Sequence, residues 1–339
     1  MKKRLLKPPR EDSAIFLEPS LSHILNRLKS VRSAGTAHQL DFFNPGVAAK
    51  FLLLDYLPHP LKKIIFVDTD KVSLSIRMLS SKGSLYLDFV RSEEPLENIF
   101  LDDRGKAADF FARLHERLMS YPFEEKGEIM DNFLKYKEIF MRNCRKKFLK
   151  EILAESLLEF YGLETDYYFL SELLKSKKYD EFVLRIYREG FTFREVFNTA
   201  LDEYKKTFRF RYKNYPFAHL KEGELPFWIV KEKKRLPCFR KDMDSSSSKG
   251  VKIYPRAFTL TLFLRLYYTD FFIHGIGGGN YEWVQDRLIE RFFKSTPLLY
   301  AVVSGTYYLK GYDKRDYPFF LYSPAKLTKS FSSNLNALR

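Results

Sequence analysis

Residues 35–71 read GTAHQLDFFNPGVAAKFLLLDYLPHPLKKIIFVDTDK. Gly35 and Thr36 sit at the end of a first strand. Asn44-Pro45-Gly46 is a turn whose Asn suits a helix cap and whose Pro suits the first helical position, because its fixed φ matches and its missing N–H is not needed there. The helix VAAKFLLLDYL follows and closes at Pro58. KKIIFV is then a continuous apolar, β-branched run, the pattern of a strand buried on both faces, with Asp68 and Asp70 at its carboxyl end. Strand, helix and strand in about 35 residues make one β-α-β unit, the building block of a parallel sheet.

Working outward, SIRMLSS and SLYLDFV read as two short strands about Lys82-Gly83-Ser84. From Ile99 to Tyr215 the spacing turns helical, as in FFARLHERLM and YKEIFMRNCRKKFLKEILAESLLEFYG, with few turn signals. LPFWIVKEKKRLPCFRKD returns to strands, bracketed by Pro226 and Pro237, and NYEWVQDRLIERFFK and LLYAVVSGTYYL add a helix and a strand. Upstream, SLSHILNRLKSV has amphipathic helical spacing. The expected fold is α/β: a Rossmann-like parallel core from residues 1–98 and 217–339, with residues 99–216 as a helical insertion.

A second stretch, Ile253–Arg287, carries the chemistry: IYPRAFTLTLFLRLYYTDFFIHGIGGGNYEWVQDR. Arg265 and Asp270 lie inside its apolar run. A charge there needs a partner or a ligand, because an unpaired buried ion is costly. Two readings stay open: Arg265 pairs with Asp270 in the core, or its planar fork grips a phosphate or carboxylate. His274 and the cluster Gly275, Gly277, Gly278 and Gly279 follow, between a strand and a helix, where glycine lets the backbone turn tightly and offer N–H groups to an anion.

The 339 residues carry 58 Lys plus Arg against 43 Asp plus Glu, a formal net charge of +15, and 17% aromatics. Such a balance attracts polyanions. The lysines are spread along the chain, so a nucleic-acid partner is the alternative reading, centred on the basic, aromatic EYKKTFRFRYKNYPF. Cys144 and Cys238 form no zinc or disulfide pattern. The basic start has no signal-length apolar stretch after it, and Ala257–Ile273 falls short of a membrane span, so a cytoplasmic location is expected. No Walker loop, zinc spacing, Ser-His-Asp order or helix-turn-helix pattern is legible.

GTAHQLDFFNPGVAAKFLLLDYL followed by IIFVDTDK resembles the amino-terminal half of the cysteine-adding enzyme of bacillithiol synthesis. LFLRLYYTDFFIHGIGGGNYE resembles that family's later motif, and together with PFW it also resembles a set of bacterial proteins sharing FIHGIGG. The resemblance implies a core akin to class I aminoacyl-tRNA synthetases and nucleotidylyl transferases. It implies ATP or another adenine nucleotide as cofactor, and a carboxylate and an amine as substrates joined by a ligase or nucleotidyl-transfer reaction. Lys326-Leu327-Thr328-Lys329-Ser330 resembles the phosphate-clamp signature of the same synthetases.

On this reading His38, Gln39, Asp68 and His274 are the candidate catalytic residues. Gly35, Asp70, Arg265, Gly277, Gly278, Gly279, Lys326 and Lys329 are the candidate nucleotide-binding ones. Imidazole and amide donors beside a helix N-terminus suit phosphates. Acids at a strand end suit a ribose hydroxyl, an amine or Mg²⁺. Each has a plainer alternative, a solvated strand end or a closed turn. Trp228 reads as core packing or as a platform for a base.

Overall fold

Lys62–Val67 alternates two buried faces. Ile64 and Phe66 enter one hydrophobic core, and Ile65 and Val67 enter another. Strand periodicity of two puts successive side chains on opposite sides, so a run this apolar must be covered by helices above and below. The computed structural model describes residues 14–17, 31–42, 45–57, 61–80, 83–120, 126–208, 217–231, 234–244, 252–279 and 281–306.

In chain order the elements begin with β1 (Ala14–Leu17), β2 (Ala34–Gln39), α1 (Pro45–Tyr56), β3 (Lys62–Val67), β4 (Lys71–Ser80) and β5 (Gly83–Pro95). Then come α2 (Arg104–Met119), α3 (Lys126–Asn143), α4 (Leu149–Tyr161), β6 (Asp166–Phe169), α5 (Leu170–Leu173), α6 (Lys177–Arg188) and α7 (Gly190–Phe208). The remainder is β7 (Glu224–Lys231), β8 (Lys234–Phe239), α8 (Arg240–Asp244), β9 (Lys252–Pro255), α9 (Ala257–Tyr267), β10 (Phe271–His274), α10 (Ile276–Gly279), α11 (Glu282–Arg291) and β11 (Leu299–Thr306).

The main sheet runs β1-β11-β10-β2-β3-β6. Its last five strands are parallel, and β1 joins β11 antiparallel at one edge. Counted by their order along the chain, the parallel strands lie 5-4-1-2-3, the doubly wound arrangement of a Rossmann-like fold. The chain steps outward in both directions from the pair β2 and β10. Thr36 Oγ1 stitches that pair by donating to Ile273 O at 2.8 Å.

One face is covered by α1, α2, α3 and α4, packed through rings such as Phe42, Phe110, Phe111 and Phe140. The other is covered by α6, α7, α9 and α11, where Phe182 meets Phe227, Phe263 and Phe293. Much of the high aromatic content is therefore core. β4 and β5 form the expected antiparallel hairpin, and β7 pairs with both β8 and β9 in a separate three-stranded sheet.

The structure sharpens the sequence reading in two places. The described part of residues 99–216, read as a helical insertion, is mostly helical, but β6 lies inside that range and pairs in parallel with β3. In the apolar run Ala257–Ile273 the strand read before His274 is β10, and a helix, α9, precedes it. The Ser20–Val31 stretch, the turn at Asn44 and the segment 307–339 lie largely or wholly outside the described residues.

Candidate active-site cleft

Two strands that leave in opposite directions from the centre of a parallel sheet open a crevice at their carboxyl ends. Here that crevice is a cleft of about 810 Å³. Its floor includes His38 and Gln39 from β2, His274 from β10, and Gly46, Val47 and Lys50 from the first two turns of α1. One wall comes from the three-stranded sheet and the start of α9, with Trp228, Arg235, Arg256 and Phe258; Phe217 and Tyr281 add further rings.

Lys50 is a cleft residue that the motifs did not single out. Its side chain is 3% exposed, and its amine donates to Ala37 O at 2.9 Å. Among the described residues no carboxylate pairs with it, and burial pushes the amine down to about 7 from an ordinary 10.5. A lone lysine in VAAKFLLL was the available signal, since an apolar helix that packs on all sides does not tolerate a solvated amine without cause.

The two histidines are held uncharged. His38 Nδ1 lies 2.9 Å from Gln39 O; a carbonyl only accepts, so Nδ1 carries the proton. Burial, then the Lys50 charge, hold its imidazole well below the usual range, with the Gln39 bond opposing them. His274 is also pushed down, first by burial, against the pull of Glu282. Its Nε2 faces Glu282 Oε1.

Glu282 is fully buried and accepts from Arg265 Nη1. Arg265, itself fully buried, also donates through Nη2 to Asp286 Oδ1 at 2.9 Å and to Leu298 O at 2.6 Å. Arg265 therefore sits behind His274 and outside the cleft lining. Asp270, the partner expected for it within the apolar run, is engaged elsewhere. It accepts from the backbone N–H groups of Arg32 and Ser33, at 3.1 and 3.2 Å, and ties the end of α9 to the start of β2.

Gly277 and Gly278 line the cleft, and Gly279 does not. A Cβ on Gly278 would lie 2.4 Å from His274 Nδ1, and one on Gly279 2.4 Å from Val302 Cγ2. Those two glycines are spaces for neighbours. Gly35 serves the same purpose beneath Thr269, away from the cleft.

The strand-end acids divide. Asp70 reaches the cleft, accepting from Gln39 Nε2 and Arg235 Nη2, while Arg235 also donates to Thr69 O at 2.6 Å. Asp68 is buried away from it. Its carboxylate accepts from Lys150 Nζ at 2.9 Å, from Ser171 N at 2.9 Å and from Ser171 Oγ at 2.5 Å, fastening α5 and α4 to the sheet. Trp228 faces the cleft, with the Arg256 guanidinium 4.4 Å from its ring centroid, and its neighbour Phe227 points into the core. Arg256 also donates to Glu224 Oε1 at 2.6 Å.

Lys326 and Lys329 lie outside the described residues. Among the described residues no group of three or more His, Cys, Asp or Glu is placed to hold a metal ion, and no helix is long and apolar enough to cross a membrane. No protein-family model matches the chain, and no curated protein matches it in sequence.

Proposed function

We propose that the cleft binds an adenine nucleotide and that the protein is an ATP-dependent ligase or nucleotidyl-transfer enzyme. It would activate a carboxylate and pass it to an amine, as the resemblance in the two motifs implies. One observation carries the nucleotide reading: the buried Lys50, with no carboxylate partner among the described residues, lies at the switch point of a doubly wound sheet, in the first turns of α1. Helix N-termini and switch-point crevices bind phosphates because orphan N–H groups and the helix dipole favour an anion there.

A cleft of about 810 Å³ also falls within the range of small-molecule sites, roughly 300–1,000 Å³. The phosphates would lie against Gly46, Val47, Lys50 and His38, and the base against the rings of Phe217, Phe258 and Tyr281. Catalysis of this kind is mostly positioning and electrostatics.

Calorimetry with ATP and ADP, with and without Mg²⁺, tests this. Saturable binding is expected, weakened at least about tenfold, or 1.4 kcal/mol, by Lys50→Met. No heat at millimolar nucleotide would end the reading. A second reading, nucleotide binding without chemistry, is favoured by the cleft's acids, since Asp70 and Glu224 are both tied to arginines. Binding without any release of phosphate or pyrophosphate would select it.

A further inference from the structure

A lysine buried in apolar surroundings has two ways to persist. It pairs with a carboxylate, or it gives up its proton. Lys50, with no carboxylate partner among the described residues, is pushed towards the second course. Burial lowers it to about 7, so a share of the amine is unprotonated near neutral pH. A neutral amine keeps a lone pair and is a nucleophile.

Its geometry fits that use. One N–H is committed to Ala37 O at 2.9 Å, which anchors the nitrogen at the floor of the cleft. Gly275 lies alongside, since a Cβ there would meet Lys50 Cδ at 3.7 Å, an ordinary contact. Gly46 and Val47, in the turn before Lys50, line the same floor. The His38 imidazole, bonded through Nδ1 to Gln39 O, interacts electrostatically with Lys50.

We propose that Lys50 is a covalent nucleophile that takes the nucleotidyl group from a nucleoside triphosphate before it is passed to the acceptor. This rests on the reading of the cleft as a nucleotide site. The Nζ lone pair forms a bond to the α-phosphorus. The bond from that phosphorus to the oxygen bridging to the β-phosphate breaks, and its electron pair leaves with pyrophosphate. The proton displaced from Nζ leaves with the pyrophosphate or to solvent, and one proton returns to the nitrogen when the P–N bond breaks. The product is a lysyl phosphoramidate, whose P–N bond an acceptor carboxylate or phosphate oxygen then displaces, restoring the amine.

The test uses the full chain with Mg²⁺ and ATP radiolabelled at the α-phosphate, followed by denaturation, peptide mapping and a pyrophosphate assay. The expected result is label on the peptide containing Lys50, stable to alkali and lost in acid as a P–N bond is, with one pyrophosphate released per label. Lys50→Arg and Lys50→Met should each remove the label. Lys50→Met keeps the fold by replacing the amine with an apolar chain, and its melting curve checks this. Wild-type protein that binds ATP by calorimetry yet gains no label, or label that persists in either variant, overturns the covalent role and leaves the nucleotide site standing, with Lys50 as a cation for phosphate. Absence of ATP binding overturns both.

Discussion

At the scale of single residues, Lys50 and Arg265 are two buried cations solved in opposite ways. Lys50 has no carboxylate partner among the described residues and sits at about 7, so between pH 7 and 10.5 the unfolded chain holds a proton that the folded chain lacks. Stability must therefore rise with pH across that window. Lys50→Met should flatten the rise and stabilise the fold at pH 7 by about 2–4 kcal/mol, since each unit of depression is worth ~1.4 kcal/mol. Urea denaturation at pH 7 and pH 9 reads both effects; a destabilised variant would contradict them. His274 acts on the acid side. Its folded form resists protonation, so stability falls as pH drops below 6.5. Arg265 is instead paired with two carboxylates, Glu282 and Asp286, and Arg265→Met strands the buried Glu282. A cost of about 3–5 kcal/mol is expected, with part recovered on adding Glu282→Gln. A melting temperature unchanged from wild type would return Arg265 to the list of ligand contacts. Its carboxylate partners were not legible in the sequence because they come from α11, 17 and 21 residues on, whereas Asp270 is near in sequence but lies past the end of α9.

At the scale of elements, the glycine turn after β10 is a spacer for the His274 ring as much as a flexible hinge. Gly277 and Gly278 separate the two ideas. A Cβ on Gly277 meets nothing within 4 Å, and one on Gly278 meets the imidazole at 2.4 Å. Gly277→Ala should leave stability and the His274 ring signals in an NMR spectrum near wild type. Gly278→Ala should shift those signals and cost roughly 1–3 kcal/mol, the usual scale of overpacking. Equal effects would remove the spacer role. The β-α-β unit was legible because cap, proline and strand pattern agree from one end of 35–71 to the other. β6 was not: DYYF is four residues, partly exposed, and becomes a strand by pairing with β3 rather than by its own pattern. In the run Ala257–Ile273 the strand before His274 was legible but the helix α9 in front of it was not, because the run is apolar on every face and periodicity cannot divide it.

At the scale of the whole molecule, five parallel strands in the order 5-4-1-2-3 gather His38, Gln39 and His274 from distant parts of the chain at one crevice. Sequence order alone implied that convergence once the strands were recognised, since parallel strands present their carboxyl ends to one edge. It did not imply which wall closes the cleft. Trp228, Arg235 and Arg256 come from a second sheet and its flank, whose docking depends on tertiary contacts such as Arg235 with Asp70. The central claim is that a nucleotide occupies this crevice. Amide hydrogen exchange with and without ATP tests it most directly. The account predicts slowed exchange in 37–39, 46–50 and 274–279, with the β4–β5 hairpin unchanged. Protection confined to other segments, or none at saturating ATP, would contradict it.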